Sequence, residues 1–353
     1  MKRRVLQFDG LRFYAITLIM ASHSGAFHLL VGGTMVSLFF VLSGFFSARP
    51  FPGAQTTDFS KPLNWLLFYV RRAVRILPVF WLVSLVMFIT GSFKGKEQGL
   101  DVFLKNVTLV EANGHFWYVQ NQMAIYLLEP LIFLLITLIG QKLNEKWRNT
   151  ICMIILIIAG ILFEAILPGQ PRLFLKGNGT GQYLRVGLFC IGAGFGMIAR
   201  DLGKWRPDSP LEKLYLDFVE LLLLFLGAFT AGYYLKKLGI VDRDILLGWK
   251  YPAPVALACG VLLLLLMINS EGLIAKFFSL RPIRAVGEAS YSIFLVQSVL
   301  IRLLAISDPE RKWLIASIAS AGIGYMSYHL FEKPLSDTVD RALKRRVNAR
   351  GKS

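Results

Sequence analysis

Apolar residues run along the chain in blocks of roughly 17 to 25, the length an α-helix needs to cross a bilayer. Ten such blocks stand out, near 11–31, 34–48, 66–91, 122–140, 150–167, 183–199, 214–235, 251–269, 286–305 and 312–331. They predict an all-α, polytopic membrane bundle of about ten transmembrane helices. The second block is short and lies between Gly32-Gly33 and Pro50, so a tilted, broken or re-entrant course stays open beside a plain span. The longest polar connections, about 92–121 and 236–250, are loop-sized. With no internal repeat or low-complexity run, residues 1–353 read as one membrane-embedded domain ending in a basic tail at 336–353.

Three basic residues precede the first block, as in a signal peptide, yet Asp9 and Arg12 interrupt its start and no small-residue cleavage site follows. It is expected to be retained. Composition agrees with the pattern, since 55% of the 353 residues are hydrophobic and 17% charged, where soluble domains carry about 25% charged residues. Cys152, Cys190 and Cys259 each lie within an apolar block, which points to packing rather than bridging.

A net charge of +17 would favour nucleic acid in a soluble chain; in a membrane chain its position matters more. Ten crossings from an inside N-terminus place 25 Lys and Arg on one set of ends and 12 on the other, with Arg12 and Arg185 inside spans. That imbalance predicts a multi-pass protein of the cytoplasmic membrane with both termini in the cytoplasm, and no nucleic-acid partner.

Ionisable groups inside membrane helices are costly and mark function. Arg12 and His23 are eleven residues apart, close to three whole turns, so they share one face about 16 Å apart along the axis. An arginine can hold an anionic head group while an imidazole further along takes a proton from a hydroxyl. The structural alternative is an arginine that snorkels and a histidine that merely bonds a neighbouring helix.

These residues lie in a longer pattern: Phe8-Asp9-Gly10-Leu11-Arg12 with His23, then Leu38-Phe39-Phe40-Val41-Leu42-Ser43-Gly44-Phe45, then Arg71-Arg72-Ala73-Val74-Arg75-Ile76-Leu77-Pro78. Looser segments follow at Phe116-Trp117-Tyr118-Val119 with Tyr126, Ser290-Tyr291-Ser292-Ile293-Phe294-Leu295, and Glu332-Lys333-Pro334. The pattern resembles acyltransferase family 3, multi-pass membrane enzymes that move an acyl group, usually acetyl, onto sugar hydroxyls, and it covers residues 8–335. The resemblance implies an acyl-CoA donor as substrate, with no permanently bound cofactor, and His23 with Arg12 as the catalytic pair.

Arg71, Arg72 and Arg75 are spaced three and four apart, so their forked guanidinium groups can converge on phosphate. The resemblance makes that phosphate coenzyme A's; the alternative is an ordinary topology anchor. His115, Trp117 and Gln122 form a candidate acceptor side, the alternative for His115 being a solvated loop histidine. The chain also departs from the family. Ser37 and Gln122 stand where acidic residues are common, and Gln297 stands where many members have histidine, so no acidic orienter for His23 can be named.

Ser43-Gly44 lacks a nucleophile elbow and is expected to pack, and Phe39-Phe40 is expected to face lipid or core. His28 falls about 140° around the helix from His23 and is not expected to share its site, while His329 is expected to be structural. Glu129, Glu164 and Glu220 are buried-acid candidates whose partners the sequence does not name. No His or Cys pair has zinc-ligand spacing, and neither a phosphate loop nor a dinucleotide fingerprint appears, so no metal is expected. The resulting expectation is an O-acyltransferase acting on a glycan or lipid-linked saccharide. A transporter or flippase for such a glycan, without covalent chemistry, is the alternative.

Overall fold

The computed structural model describes residues 5–26, 31–48, 59–92, 99–166, 176–178, 184–202, 205–229, 252–304 and 306–350. His28 and the 236–250 connection lie outside them. The described residues are almost wholly helical: α1 (Gln7–Ser24), α2 (Gly32–Ala48), α3 (Pro62–Ile89), α4 (Leu100–Val107), α5 (Trp117–Gln141), α6 (Glu145–Ile166), α7 (Val186–Leu202) and α8 (Pro210–Phe229). There follow α9 (Pro252–Ile268), α10 (Leu273–Phe278), α11 (Arg281–Glu288), α12 (Ser290–Leu303), α13 (Pro309–Ser327), a π-helical turn (Tyr328–Glu332) and α14 (Lys333–Arg350).

Every predicted block meets a helix, but the described residues hold only four stretches long and apolar enough to cross a membrane: Pro62–Ile89, Gly114–Gln141, Glu145–Ile166 and Pro309–Leu343. A fifth arises if α11 and α12, bent by 72°, count together. Among the described residues the count of ten is not confirmed, for identifiable reasons. α2 and α9 each stop at 17 residues, α1 opens on Gln7, Asp9 and Arg12, and α8 carries Glu212, Lys213, Asp217 and Glu220.

Two corrections concern local structure. The predicted 286–305 helix is broken at Ala289, where Gly287 presses against the backbone of Asp9 so closely that a Cβ would collide with its carbonyl. The predicted loop 92–121 is partly folded, and α5 begins at Trp117 rather than 122. Within it α4 and a short strand, β1 (Glu111–Asn113), are tied to α3 by Asn106, which donates to Ser84 Oγ at 3.0 Å and accepts from the Asn113 N–H at 3.2 Å. β1 pairs in parallel with β2 (Lys176–Asn178), with Glu111 opposite Lys176 and Asn113 opposite Asn178.

α2 sits at the centre, packed on α1, α7 and α9, which explains how so short a helix is buried over most of its length. Its contact with α7 needs small residues: a Cβ on Gly44 would meet the Phe189 carbonyl, and one on Gly192 the Val41 carbonyl. Phe40 joins this core. Outward stripes such as Ile154, Ile158 and Leu162 on α6 and Leu214, Phe218, Leu221 and Phe225 on α8 are exposed, as lipid-facing helix sides are. All three cysteines are free; Cys152 and Cys190 are buried and Cys259 partly so.

Candidate active site

α1 positions both residues singled out in it. Near its start Arg12 bonds Asp9 one turn earlier, Nη1 to Oδ1 at 3.1 Å, and its guanidinium lies 5.3 Å from the centroid of the Phe46 ring. Arg12 faces a cavity of about 840 Å³ into which α2, α3, α5, α12 and the start of α14 also project side chains. From α3 come Arg72 and Arg75, whose three-residue spacing puts them on one face. Arg72 donates to Ser47 Oγ at 3.2 Å and approaches Glu129 Oε1 at 3.5 Å, with the Tyr126 and Phe68 ring centroids 4.6 and 5.1 Å from its guanidinium carbon. Arg75 is exposed to the cavity and makes no hydrogen bond or ion pair among the described residues. Arg71 is absent from this cavity but joins Arg72 and Arg75 in lining an adjoining one of about 290 Å³, where it pairs with Asp340 of α14 at 3.0 Å.

The opposite wall is built by α12 and the turn before α14. Ser290, Tyr291 and Phe294 line it, and Tyr291 donates to the Ile76 carbonyl at 2.8 Å, fastening α12 to α3 just before Pro78. Glu332, buried, accepts from Ser292 Oγ at 2.8 Å, and Lys333, Ser336 and Asp337 extend the wall, so the first turns of the predicted basic tail belong to the cavity. Gln122 is also here rather than beside His115: it donates to Ser43 Oγ at 3.0 Å. Ser43 thus faces the cavity, and only Gly44 of that pair serves packing.

His23 lies near the other end of α1, exposed, roughly 16 Å along the axis from Arg12 and outside the cavity lining. Its Nδ1 is 3.1 Å from Gln297 Nε2, and Gln297 is completely buried. The adjacent Ser298 Oγ is 2.8 Å from His115 Nε2. His115 stacks on Phe116 at 4.3 Å and on Phe294 at 5.5 Å, and Phe294 in turn meets Tyr118 at 5.1 Å. One helix therefore connects the two regions: Tyr291 and Phe294 of α12 face the cavity, and a turn later Gln297 and Ser298 hold the two imidazoles. Trp117 packs on Phe40 at 6.2 Å and is not part of the lining.

The buried acids acquire partners that sequence could not name. Glu129 meets Arg72, while Glu164 approaches Arg185 at 3.4 Å and accepts from the Leu188 N–H at 3.3 Å. Arg185 stands just before α7 rather than within it. Glu220 is fully buried next to Asp217 and Asn269, remote from the site. Ser37, in the position of a familial acid, donates only to Gly33 O within its own helix. His329 packs between Tyr325 and Tyr328. Among the described residues no group of three or more His, Cys, Asp or Glu is placed to hold a metal ion.

Sequence reasoning missed the Asp9 contact, although its i,i+3 spacing from Arg12 was a usable signal. It also assigned no role to Glu332, which stood in a quoted motif, and Ser298 carried no signal.

The fold and the site define a multi-pass membrane protein with a charged cavity and an imidazole on one helix, an arrangement suited to group transfer between two ends of a bundle. The chain belongs to acyltransferase family 3: a family model described as an acyltransferase domain matches residues 5–326. It is similar to the putative peptidoglycan O-acetyltransferase YrhL of Bacillus subtilis, 23% identical over 98% of this chain and 57% of the relative. It is also similar to the O-acetyltransferase OatA of Staphylococcus aureus, 25% identical over 93% of this chain and 56% of the relative. A third relative is the peptidoglycan O-acetyltransferase OatA of Listeria monocytogenes, at 24% over 95% and 56%. The chain thus spans about half the length of the curated relatives it matches. No solved structure matches it.

Proposed function

We propose that this protein transfers an acyl group, in the first instance acetyl, from acyl-CoA bound at the arginine end to a hydroxyl of a glycan or lipid-linked saccharide at the histidine end. The observation that carries the reading is Arg75, a guanidinium exposed to a cavity of about 840 Å³ beside Arg12 and Arg72, on a bundle whose first helix runs from that cavity to His23. Planar forks suit phosphate. The extended pantetheine arm of coenzyme A can bridge the remaining distance, delivering the thioester to the imidazole.

Two routes use the same atoms. In one, His23 takes the proton from the acceptor hydroxyl while its oxygen attacks the thioester carbonyl, and coenzyme A leaves as the thiol after reprotonation. In the other, an imidazole nitrogen attacks first, the thiol leaves, and the acyl-imidazole is then attacked by the hydroxyl. The relatives' names favour a peptidoglycan-type glycan as acceptor, for which His115 and Trp117 are the proposed acceptor-side residues. Counted over ten crossings from an inside N-terminus, the 25-to-12 distribution of Lys and Arg supports a cytoplasmic arginine end and an external histidine end, in the cytoplasmic membrane.

The test is turnover by the purified protein in detergent, measured as acetyl-CoA consumption with and without glycan fragments. Acceptor-dependent release of coenzyme A is expected. Binding of the glycan with no consumption of acyl-CoA would instead favour a carrier of lipid-linked saccharide.

A further inference from the structure

We propose that Gln297 is the positioning residue of His23: its side-chain carbonyl accepts Nδ1–H and so holds the ring with Nε2 unprotonated and available for acyl transfer. The inference rests on the reading that His23 carries the transfer, and it supplies the orienter that the family motifs do not. Gln297 is completely buried on α12, its amide lies 3.1 Å from Nδ1, and its Oε1 has no hydrogen-bond partner among the described residues. A half-turn about the last side-chain torsion exchanges Oε1 and Nε2 without changing the shape of the group, so either end can face the ring.

The reaction selects the end. With Gln297 on Nδ1, chemistry falls to Nε2. When Nε2 acts as base and accepts a proton, Nδ1 carries hydrogen as well, and an amide N–H₂ pointed at it would leave two donors facing each other. Only the carbonyl satisfies that state. A neutral amide also differs from the carboxylate that fixes imidazoles in many hydrolases, because it orients the ring without adding a charge.

The charged and titratable groups on elements packed against α1 lie as follows. Asp9 and Arg12 are about three turns away on α1 itself, and Lys276, Arg281, Arg284 and Glu288 lie on α10 and α11. Arg302 of α12 donates to the Ser92 carbonyl, and Asp308, Glu310, Arg311 and Lys312 stand at the start of α13, whose Pro309 adjoins Gly25. α2 carries none. A change confined to position 297 leaves this set untouched.

Nitrogen NMR of protein labelled at its four histidines reads the tautomer directly in the unmodified chain, with the His23 signal assigned by its loss in His23→Ala. The Nδ1-protonated tautomer is expected; the Nε2-protonated one overturns the proposal. Gln297→Leu should lower kcat for transfer about 10–100-fold, the usual scale for losing an orienting partner, with the KM for acyl-CoA unchanged. The near-isosteric Gln297→Glu, which can only accept, should retain turnover and move the acidic limb of the pH–rate profile to higher pH. Full kcat in a folded Gln297→Leu variant, or an unmoved limb in Gln297→Glu, would sink it. An active His23→Ala protein would sink the underlying reading instead, and the Gln297 variants then have nothing to position.

Discussion

The two ends of α1 hold cationic-capable side chains in opposite ways. Arg12 lies among charges: Asp9 pairs with it, and Arg72, Arg75, Lys333, Glu288, Glu332 and Asp337 line the same cavity, drawn from α3, α11 and the chain around the start of α14. His23 is held by a neutral amide, and the nearby His115 by a hydroxyl, both supplied by consecutive residues of α12. Charged neighbours, with Arg75 left uncommitted, suit an anionic ligand that must be gripped. Neutral neighbours suit an imidazole that must gain and lose a proton within one cycle. On the proposed function, the contrast would separate binding from chemistry along a single helix.

The largest effect that can break this comparison is all-or-none. In a background lacking Cys152, Cys190 and Cys259, a membrane-impermeant thiol reagent should label Val110→Cys, exposed at the histidine end, on intact cells. Thr338→Cys on α14 should react only after permeabilisation. The reverse pattern would remove the arginine cavity from cytoplasmic acyl-CoA and end the trans-bilayer mechanism.

Next in size, His23→Ala should lower transfer by about 10²–10⁴-fold while acyl-CoA still binds, measured by kcat alongside equilibrium binding. Near-normal turnover would dissolve the distinction between the two ends.

Arg75→Ala should raise the KM for acyl-CoA about 10–100-fold, the loss of a charge-assisted bond worth roughly 1.5–3 kcal/mol. Arg75→Lys should recover only part, because a point charge cannot replace the fork. Arg75 is the sharper probe than Arg72, whose removal also strands the buried Glu129. Unchanged affinity in Arg75→Ala would leave the arginines as a topology anchor.

The smallest effect lies in the packing behind the cavity wall. Gly44→Ala should cost about 1–3 kcal/mol by overpacking the α2–α7 contact, seen as a lower Tm in detergent with kcat per folded molecule retained. A loss of turnover at unchanged Tm would make α2 part of the chemistry.

Much of the architecture was readable because apolar length and period act locally: each of the ten blocks found a helix, and the i,i+3 spacing of Arg72 and Arg75 sent both into one cavity. Arg71, four residues before Arg75, shares the smaller adjoining cavity with both of them but not the larger one. Its departure toward Asp340 depends on α14 folding back across α3, which no local pattern encodes. The break at Ala289 escaped for the same reason, since the two helices together are apolar enough to read as one span and the bend accompanies the approach of Gly287 to α1. Gln297 looked like a lost histidine. Its meaning emerges only with the neighbour 274 positions earlier in the chain.

Hydrophobic length, charge distribution and the Arg12–His23 spacing follow from the chain alone, because helix geometry converts residue number directly into distance and direction. Which helices pack at the centre, which acid meets which arginine, and which side chain holds each imidazole were decided by tertiary structure. Those pairings join residues far apart in sequence, and their free energy depends on burial and close approach that exist only once the helices have packed.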